Sequence, residues 1–306
     1  MTTDLWDVLG FGAVTVDDLI YVDHHPEPGS KMPVQDMLRQ GGGLAGTALV
    51  AAARLGASTA YCGMLGDDDL SRYTRQELES EGVDCSAVLH DPAARVIHSI
   101  IIVDTSTADR CILFSMDGVK EPRLEEITAD LLARCRVVFI DHTMVESGSR
   151  IIDLAQAQSI PVVGDIEAVR DDRVPELIQR IDHLIVGTEL AAEVTGESDP
   201  LAMVRGLSGP DRACCVVTAG ERGCWYAERG GEVLHVPAFP VAVVDTTGCG
   251  DVFHGGYAAC LARGYSVHRA IQVATAAAGL KATRPGGRSG IPDLPTVQRF
   301  LEEQSL

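Results

Sequence analysis

The sequence predicts an α/β protein with a mostly parallel sheet, helices on both faces of that sheet, and a small separate β-sheet. From about residue 124 onwards, apolar β-type runs alternate with segments of helical periodicity, and such alternation is typical of right-handed βαβ units. Two other β-rich runs, at 95–104 and 110–115, are joined by the polar segment 105–109, which indicates a hairpin. A glycine turn at 248–250 precedes a helical pattern. In this class of protein, ligands bind at the carboxyl ends of the strands.

Composition limits the class of protein. A length of 306 residues allows one large α/β domain or two small ones, and 46% hydrophobic residues suffice for a core. Apolar runs are too short to span a membrane, and residues 1–4 lack the basic start of a signal peptide, so we expect a cytoplasmic protein. A net charge of −19 argues against nucleic acid and membrane partners, because both bind through clustered basic surface. The nine cysteines lack zinc spacing and are expected to be free buried thiols.

The first strand is predicted at 7–12, where an apolar run ends in a glycine turn. Two acids, Asp17 and Asp18, follow it, and an exposed turn position suits Asp18 better. A second glycine loop at 40–47 opens a helix that continues through 48–55. Because glycine has no side chain, the backbone of this loop can come close to a ligand.

Four β-type runs are predicted to form the small sheet, which would act as a lid. The run 95–104 is apolar on both faces, so one face should meet something other than its own core. A strand of the main sheet is the alternative for this run. The lid strands are predicted at 19–22, 32–38, 95–104 and 110–115, and the lid as a whole at about 18–40 and 95–117.

The remainder of the chain is predicted to supply most of the main sheet. The predicted strands are 137–141, 161–165, 184–186 and 215–218, and the predicted helices are 124–135, 149–158 and 189–195. Four polar residues fall at the ends of these strands: Asp141, His142, Asp165 and Glu167. A ligand contact and a plain cap or turn position are equally open for each of them.

The strongest chemical signal is the segment 244–256. An apolar run at 241–244 suits a buried strand, and a helical pattern begins near Val252 after the glycine turn. The first N–H groups of such a helix lie unpaired at the positive end of its dipole and can bind an anion. Asp251 beside such a site suits a general base for phosphoryl transfer. A dinucleotide fingerprint is excluded because Phe253 stands where a third glycine is needed, and no P-loop motif is present.

The run Asp-Thr-Thr-Gly-Cys-Gly-Asp at 245–251 resembles the Asp-Thr-x-Gly-Ala-Gly-Asp signature of the ribokinase-like, or PfkB-type, carbohydrate kinases. The resemblance spans about 5 to 295 and implies a three-layer α/β/α ribokinase-like fold, with 1–306 as a single domain. It also implies ATP-dependent phosphorylation of a sugar hydroxyl. In that family Asp251 would be the base, and Gly248, Cys249 and Gly250 would form the anion hole. Cys249 stands where the family usually has alanine.

On the sugar side, the resemblance implies that Asp17 and the loop containing Gly42 and Gly43 contact hydroxyl groups. Thr47 replaces the usual asparagine. A subgroup that includes the sulfofructose kinases is particularly similar, and it holds its sulfonate with basic and amide side chains. Lys31, and also Arg110, could serve that purpose, but the places where an amide and an arginine are expected hold other residues, Phe114 and Thr143. A neutral sugar is therefore expected to be preferred.

On the nucleotide side, Thr218, Gly220 and Gly223 match the family's Thr-x-Gly-x-x-Gly segment that borders ATP. The family's magnesium-organising Asn-x-x-Glu is absent, and Glu189 is the nearest substitute. Mg²⁺ is still expected, because three lysines cannot offset the charge of ATP.

The resemblance also implies a potassium ion and a lid-mediated homodimer. The potassium site would be formed by Asp245, Thr247, Gly287 and Ser289. The dimer contact would include Ile100 and Ile102. Two alternatives remain open besides a sulfofructose kinase: a nucleoside kinase of the same fold, and a catalytically silent protein that senses a sugar or nucleotide.

Overall fold

The computed structural model describes residues 5–107 and 109–304, so residues 1–4 and the predicted turn residue Ala108 lie outside the described part. The strands are β1 (Trp6–Phe11), β2 (Thr15–Val22), β3 (Asp36–Gly42), β4 (Thr59–Tyr61), β5 (Met64–Leu65), β6 (Val83–Asp84), β7 (Leu89–His90), β8 (Ile97–Asp104), β9 (Arg110–Ser115), β10 (Cys135–Asp141), β11 (Val162–Asp165), β12 (His183–Gly187), β13 (Cys214–Thr218), β14 (Cys224–Glu228) and β15 (Leu234–Val236). The helices are α1 (Leu44–Arg54), α2 (Asp69–Ser80), α3 (Ala129–Leu132), α4 (Gly148–Ala157), α5 (Val174–Arg180), α6 (Thr188–Thr195), α7 (Pro200–Leu207), α8 (Cys249–Ala262), α9 (Val267–Ala282) and α10 (Leu294–Gln304), with 3-10 turns at Leu124–Glu126 and Gly220–Arg222.

The main sheet has the strand order β15-β14-β13-β12-β11-β10-β1-β4-β6. It is parallel from β13 to β6, while β14 and β15 add an antiparallel edge. Successive strand residues point to opposite faces: Phe139 of β10 joins a core with α1, α8 and α9, whereas Val138 and Ile140 join a second core with α4, α5 and α7. Helices therefore cover both faces, and the predicted three-layer α/β/α class is confirmed.

The second sheet has the order β3-β2-β8-β9, and its strands come from the four regions predicted for the lid. The β3 strand was expected at 32–38 but lies at Asp36–Gly42. Its partner β2 begins at Thr15, and Thr15 pairs with Gly42. The pairing therefore includes the first half of the glycine loop, which brings that loop next to Asp17.

The predicted buried strand at 241–244 is wrong. These residues form no strand, and Val243 and Val244 are 61% and 57% exposed. The Val244 N–H donates instead to the carbonyl oxygen of Ala282, over 2.8 Å. This segment is thus held by the end of α9, and α8 follows a loop rather than a strand.

Two predicted helix bounds are also wrong. The pattern at 124–135 gives a 3-10 turn and the short α3, because the Thr128 side chain caps a new helix start and Cys135 already belongs to β10. The first helix begins at Leu44, inside the glycine loop, rather than at 48. The N-terminus of α1 therefore lies directly beside the loop backbone.

Candidate active site

The N-terminus of α8 forms the centre of the site. Gly248 precedes the helix in the left-handed conformation, with φ at 74°, and a Cβ there would lie 2.9 Å from the carbonyl oxygen of Gly287. The helix begins at Cys249 and carries Asp251 in its first turn. Because the first N–H groups of a helix have no partner within it, Gly248 and Gly250 can present backbone N–H groups to an anion, whereas the Cys249 N–H donates to the carbonyl oxygen of Thr246 over 3.2 Å. The Asp251 carboxylate stands directly beside them.

Asp251 belongs to a group of acidic side chains at the ends of the strands. Burial, followed by the negative charge of Glu167, raises the pKa of Asp251 well above the ordinary carboxyl value. Asp141 and Asp17 act in the same direction, and Arg288 opposes them. A carboxylate with a raised pKa is a stronger proton acceptor than an ordinary one. The surroundings of Asp251 therefore suit a general base.

Asp141 fixes the turn that follows β1. It accepts hydrogen bonds from the backbone N–H of Ala13 over 2.7 Å and from that of Thr143 over 2.9 Å. Gly12 permits this approach, because a Cβ there would lie 2.2 Å from the Asp141 Oδ2 atom. The Asp141 carboxylate thus accepts hydrogen bonds from backbone N–H groups. This is the cap or turn role, rather than a ligand contact.

His254, one turn beyond Asp251, ties α8 to the main sheet and is absent from the sequence-based predictions. Its Nδ1 lies 2.8 Å from the carbonyl oxygen of Gly250, and its Nε2 lies 3.1 Å from that of Ile185 in β12. The Asp165 carboxylate lies 3.4 Å from Nδ1. In the sequence this residue is a single polar position in an apolar helical pattern, which gives no sign of these contacts.

The predicted sugar-contacting residues lie together at the other end of the site. Asp17, on β2, accepts a hydrogen bond from the Thr15 hydroxyl over 2.8 Å, and burial raises its pKa. A Cβ at Gly42 would lie 2.1 Å from the Asp17 Oδ2 atom, and Gly43, with φ at 86°, packs against the backbone of Ala13. The two glycines are therefore needed for the loop to approach Asp17 this closely.

Arg288 connects the C-terminal loop to the glycine loop. It is 5% exposed; its Nη2 donates to the Gly42 carbonyl oxygen over 2.6 Å, and its Nε donates to the Thr47 hydroxyl over 3.3 Å. At Gly41 and Gly46, an added Cβ would lie 2.3 Å and 2.5 Å from the guanidinium. The hydroxyl of Thr47, which is 2% exposed, is thus engaged by Arg288.

The charge of Arg288 also acts on the two predicted site carboxylates, Asp17 and Asp251. Burial lowers the pKa of Arg288 to about 10, while the negative charge of Asp17, and to a smaller extent that of Asp251, opposes this change. The guanidinium is therefore charged at neutral pH. The sequence places an arginine in a glycine-rich loop, but nothing in the sequence indicates that this loop reaches Asp17 and Gly42.

The two lid cations predicted for the substrate lie in different surroundings. Lys31 is exposed in the connection between β2 and β3. Arg110, at the start of β9, is exposed, and its charge acts on Cys249 and Lys281 near the anion hole. Burial raises the pKa of the Cys249 thiol, so this thiol is neutral. Of these two cations, Arg110 is thus the one whose charge acts on residues at the α8 N-terminus.

The predicted nucleotide residues lie at the carboxyl ends of β12 and β13. Thr218 ends β13, and its hydroxyl donates to a β12 carbonyl oxygen over 3.3 Å. Gly220 begins a 3-10 turn, and a Cβ at Gly223 would lie 2.1 Å from a β15 carbonyl oxygen. Glu189 is exposed in the first turn of α6, whereas Leu190 is buried. Glu189 is therefore the side chain of this turn that can reach a solvent-side ligand.

The predicted potassium residues come from two segments that meet beside the anion hole. Asp245 accepts hydrogen bonds from the backbone N–H groups of Thr247 and Gly286, each over 2.8 Å. A Cβ at Gly287 would lie 3.8 Å from the Thr247 side chain. The Ser289 hydroxyl donates to the carbonyl oxygen of Pro285. The turn and the loop are therefore in contact, while potassium binding stays a prediction.

A cavity of about 340 Å³ opens beside the sugar end, between the strand ends of β1, β4 and β10 and the base of the lid. It includes the 12–14 turn, against which Gly43 packs. Its charged lining residues are Arg95, Lys120, Arg170, Glu121 and Asp171. The cavity is absent from the sequence-based predictions, because its lining comes from six separate stretches of the chain.

The model of the pfkB family of carbohydrate kinases matches residues 7–294 of this chain. The chain belongs to that family. It is 30% identical to the ATP-dependent ribose-1-phosphate kinase of Halopiger xanaduensis, over 97% of this chain and 98% of the relative. It is 26% identical to the ribokinase of Bacillus subtilis, over 95% of this chain and 97% of that enzyme.

The fold of this pfkB kinase is that of the ribokinases. The crystal structure of the ribokinase from Thermotoga maritima matches with a TM-score of 0.84 and 24% identity, over 97% of this chain and 99% of that chain. The predicted family and the ribokinase-like fold are thus confirmed, and the protein is an ATP-dependent carbohydrate kinase by family. The closer similarity to sulfofructose kinases stays a prediction. In the described part of the chain, no helix has the length and hydrophobicity needed to cross a bilayer.

Proposed function

We propose that this pfkB kinase transfers the γ-phosphate of ATP to a hydroxyl of a small sugar, with Asp251 as the general base. The observation that carries the proposal is the place of Asp251 in the first turn of α8, beside the Gly248–Gly250 backbone. Asp251 takes the proton of the attacking hydroxyl, while the adjacent N–H groups stabilise negative charge on the transferring group. Both groups are held by one helix start, so their relative position is fixed before the substrate binds.

The sugar is positioned by β2 of the lid and by the glycine loop. Asp17 accepts hydrogen bonds from sugar hydroxyls, and the backbone of Gly42 and Gly43 approaches the ring closely. Thr47 acts indirectly, because its hydroxyl accepts a hydrogen bond from Arg288. The relatives include a ribokinase and a ribose-1-phosphate kinase, so pentoses are candidate substrates together with ketoses.

ATP is assigned to the carboxyl ends of β12 and β13, where Thr218, Gly220 and Gly223 lie. Mg²⁺, when bound, offsets the negative charge of the phosphates. Residues 5–107 and 109–304 contain no group of three His, Cys, Asp or Glu side chains suited to a metal. Mg²⁺ would take most of its ligands from the phosphates and from water, and the exposed Glu189 side chain would hold one of those waters.

The lid also supports a homodimer. One of its faces turns Asp17 and Leu19 toward the site, and the opposite face carries apolar side chains. These outward residues, paired across the strands in register, are Ile20, Met37, Ile100, Ile102 and Leu113. Met37 and Leu113 are 62% and 54% exposed. The Asp18–Arg39 ion pair lies on the same face, so the apolar residues form a patch beside a charged pair. An exposed apolar patch marks a protein contact, and a second copy of the same lid fits it by two-fold symmetry.

An ATP-consumption screen against pentoses, ketoses, aldohexoses, sugar acids and nucleosides tests the proposed activity. The proposal expects turnover with at least one sugar. Turnover confined to nucleosides would support the nucleoside kinase instead. ATP binding without turnover on any compound would support the silent sensor.

A sugar that carries an anionic group is a second candidate substrate, and the 340 Å³ cavity favours it. Its two acids are engaged elsewhere: Glu121 accepts backbone N–H groups at the start of α4, and Asp171 pairs with Arg173. Among the cations, Lys120 pairs with Asp91 over 2.7 Å. Arg170 has no ion pair with any residue that the structure describes; its guanidinium lies 5.9 Å from the centre of the Phe114 ring and its charge acts on Glu167, so it is the cation of this lining best suited to an anion.

Comparison of kcat/KM for a neutral sugar and for its phosphorylated or sulfonated analogue decides between the two candidates. Arg170→Met should reduce kcat/KM for the anionic sugar at least about tenfold and leave the neutral sugar unchanged, since one charge-assisted hydrogen bond contributes about 1.5–3 kcal/mol. A tenfold preference of the unmodified enzyme for the neutral sugar would support the neutral substrate that the sequence predicts. A preference for the anionic sugar that is lost in Lys31→Ala, but not in Arg170→Met, would place the anion at the lid.

A further inference from the structure

A buried lysine occupies the turn predicted to bind potassium. Lys281, near the end of α9, is 0% exposed, and its Nζ donates to the backbone carbonyl oxygen of Asp245 over 2.9 Å. The two carboxylate oxygens of Asp245 accept the N–H groups of Thr247 and Gly286. All three Asp245 oxygens therefore already have a donor, and one of these donors is a cation.

Burial and neighbouring charges act in opposite directions on this pair. Although burial opposes it, hydrogen bonds from Thr247 and Gly286 and the charge of Lys281 hold the pKa of Asp245 below the ordinary carboxyl value. Burial lowers the pKa of Lys281, the Cys249, Asp245 and Asp251 side chains act against this shift, and the charge of Arg110 adds to it. Removing an ammonium from water is costly unless oxygen acceptors and a negative charge replace the water, and Asp245 supplies both.

An ammonium group and a potassium ion have the same charge, and both bind carbonyl and carboxylate oxygens. The ammonium is held here by the chain itself, so it is present without any ion from solution. A potassium ion at the same turn would have to share Asp245 oxygens that already accept hydrogen bonds. The donors and acceptors around Asp245 therefore fit a fixed ammonium better than a bound potassium ion.

We propose that the Lys281 ammonium takes the place of a monovalent cation in this pfkB kinase. It holds the 245–248 turn in the shape that starts α8, and it offsets the Asp245 charge beside the N–H groups of the anion hole. Lys281 is thus a positioning residue, which acts on the reaction through the turn. This inference rests on the proposed function, because the turn matters for turnover only if Gly248–Gly250 bind the transferring group.

Two readouts test the proposal: initial rates, and thermal melting of the protein without substrates. Each is measured in potassium, ammonium, sodium and tetramethylammonium chloride at constant ionic strength. The variant is Lys281→Met, which keeps the length of the side chain and removes its charge. Arg269→Met is the control, because it removes an exposed charge from the same helix, away from Asp245.

The unmodified protein and Arg269→Met should give the same rate and melting temperature in all four salts. Lys281→Met should lose about a hundredfold in kcat, as expected when part of a preorganised anion site is removed. Potassium or ammonium, but not tetramethylammonium, should raise kcat of the variant at least tenfold. The same two ions should raise its melting temperature.

Activation of the unmodified enzyme by potassium of more than about threefold would overturn the proposal, whether or not the variant folds. A folded Lys281→Met that retains full activity, or that gains nothing from potassium and ammonium, would also overturn it. The melting readout needs no turnover, so it separates failure of this inference from failure of the proposed sugar kinase activity.

Discussion

Replacement of Arg288 by methionine should damage both the sugar site and the stability of the protein. The guanidinium donates to the Gly42 carbonyl oxygen over 2.6 Å and to the Thr47 hydroxyl over 3.3 Å, and it is 5% exposed. Its removal takes a charged donor from each of these acceptors, and it leaves Asp17 without a cation that opposes the effect of burial on its pKa.

The magnitude follows from these contacts. Each hydrogen bond from a charged donor contributes about 1.5–3 kcal/mol, and Arg288 makes two such bonds here, to Gly42 and to Thr47. We therefore expect Arg288→Met to reduce the free energy of unfolding by about 3 kcal/mol. We also expect kcat/KM for the sugar to fall at least about a hundredfold, because every 1.4 kcal/mol corresponds to a factor of about ten. Most of that loss should be in the KM of the sugar, with the KM of ATP nearly unchanged.

Urea denaturation and initial-rate kinetics measure the two effects. Arg136→Met is the matched control, because Arg136 lies at the start of β10, away from the sugar site, and is 54% exposed in its pair with Asp7; exposed pairs contribute about 1 kcal/mol or less. Arg288→Lys should be intermediate, since it keeps the charge and loses the fork of donors. If Arg288→Met unfolds at the same urea concentration as the unmodified protein and keeps kcat/KM within threefold, Arg288 does not organise the sugar site.

Two further predictions concern assembly and pH. Light scattering at micromolar concentration should give about twice the chain mass of 32.5 kDa, and Leu113→Glu on the outward lid face should give a monomer; a monomeric unmodified protein would contradict the lid contact. Burial lowers the pKa of His183 from 6.5 to about 4. Between these two pH values the unfolded chain therefore binds a proton that the folded protein does not bind. Stability is then complete above pH 6.5 and falls by up to roughly 3 kcal/mol as the pH drops toward 4. His183→Gln should flatten this part of the urea-midpoint profile, and an unchanged slope would show that other groups cause it.

The parts of the fold that follow from local patterns were predicted from the sequence. The alternation after residue 124 gave the three-layer architecture, because each βαβ unit is encoded within a short stretch. The run 241–244 misled the prediction, since hydrophobicity alone does not show whether a strand partner exists. Its backbone partner, Ala282, is supplied by the end of α9, which no local pattern indicates.

The sequence predicts the parts of the candidate site that lie within one motif. It does not predict the contacts between segments that are far apart in the chain. Asp251 and the glycine turn lie within one motif, so the sequence places them together. The contacts of Arg288 with Thr47 and Gly42 span 241 and 246 residues of the chain. Lys281 was visible as a lone lysine in an apolar helix, but the carbonyl oxygen that it binds lies 36 residues earlier. Sequence patterns report periodicity and residue type, whereas these contacts depend on tertiary packing.

The turnover of Asp251→Asn tests the central claim most directly. The substitution keeps the shape of the side chain and removes its ability to accept a proton. With a sugar identified in the screen, kcat should fall by about two to four orders of magnitude, while ATP binding measured by calorimetry stays nearly unchanged. Asp251→Asn with more than a tenth of the unmodified activity would contradict the assignment of Asp251 as the general base.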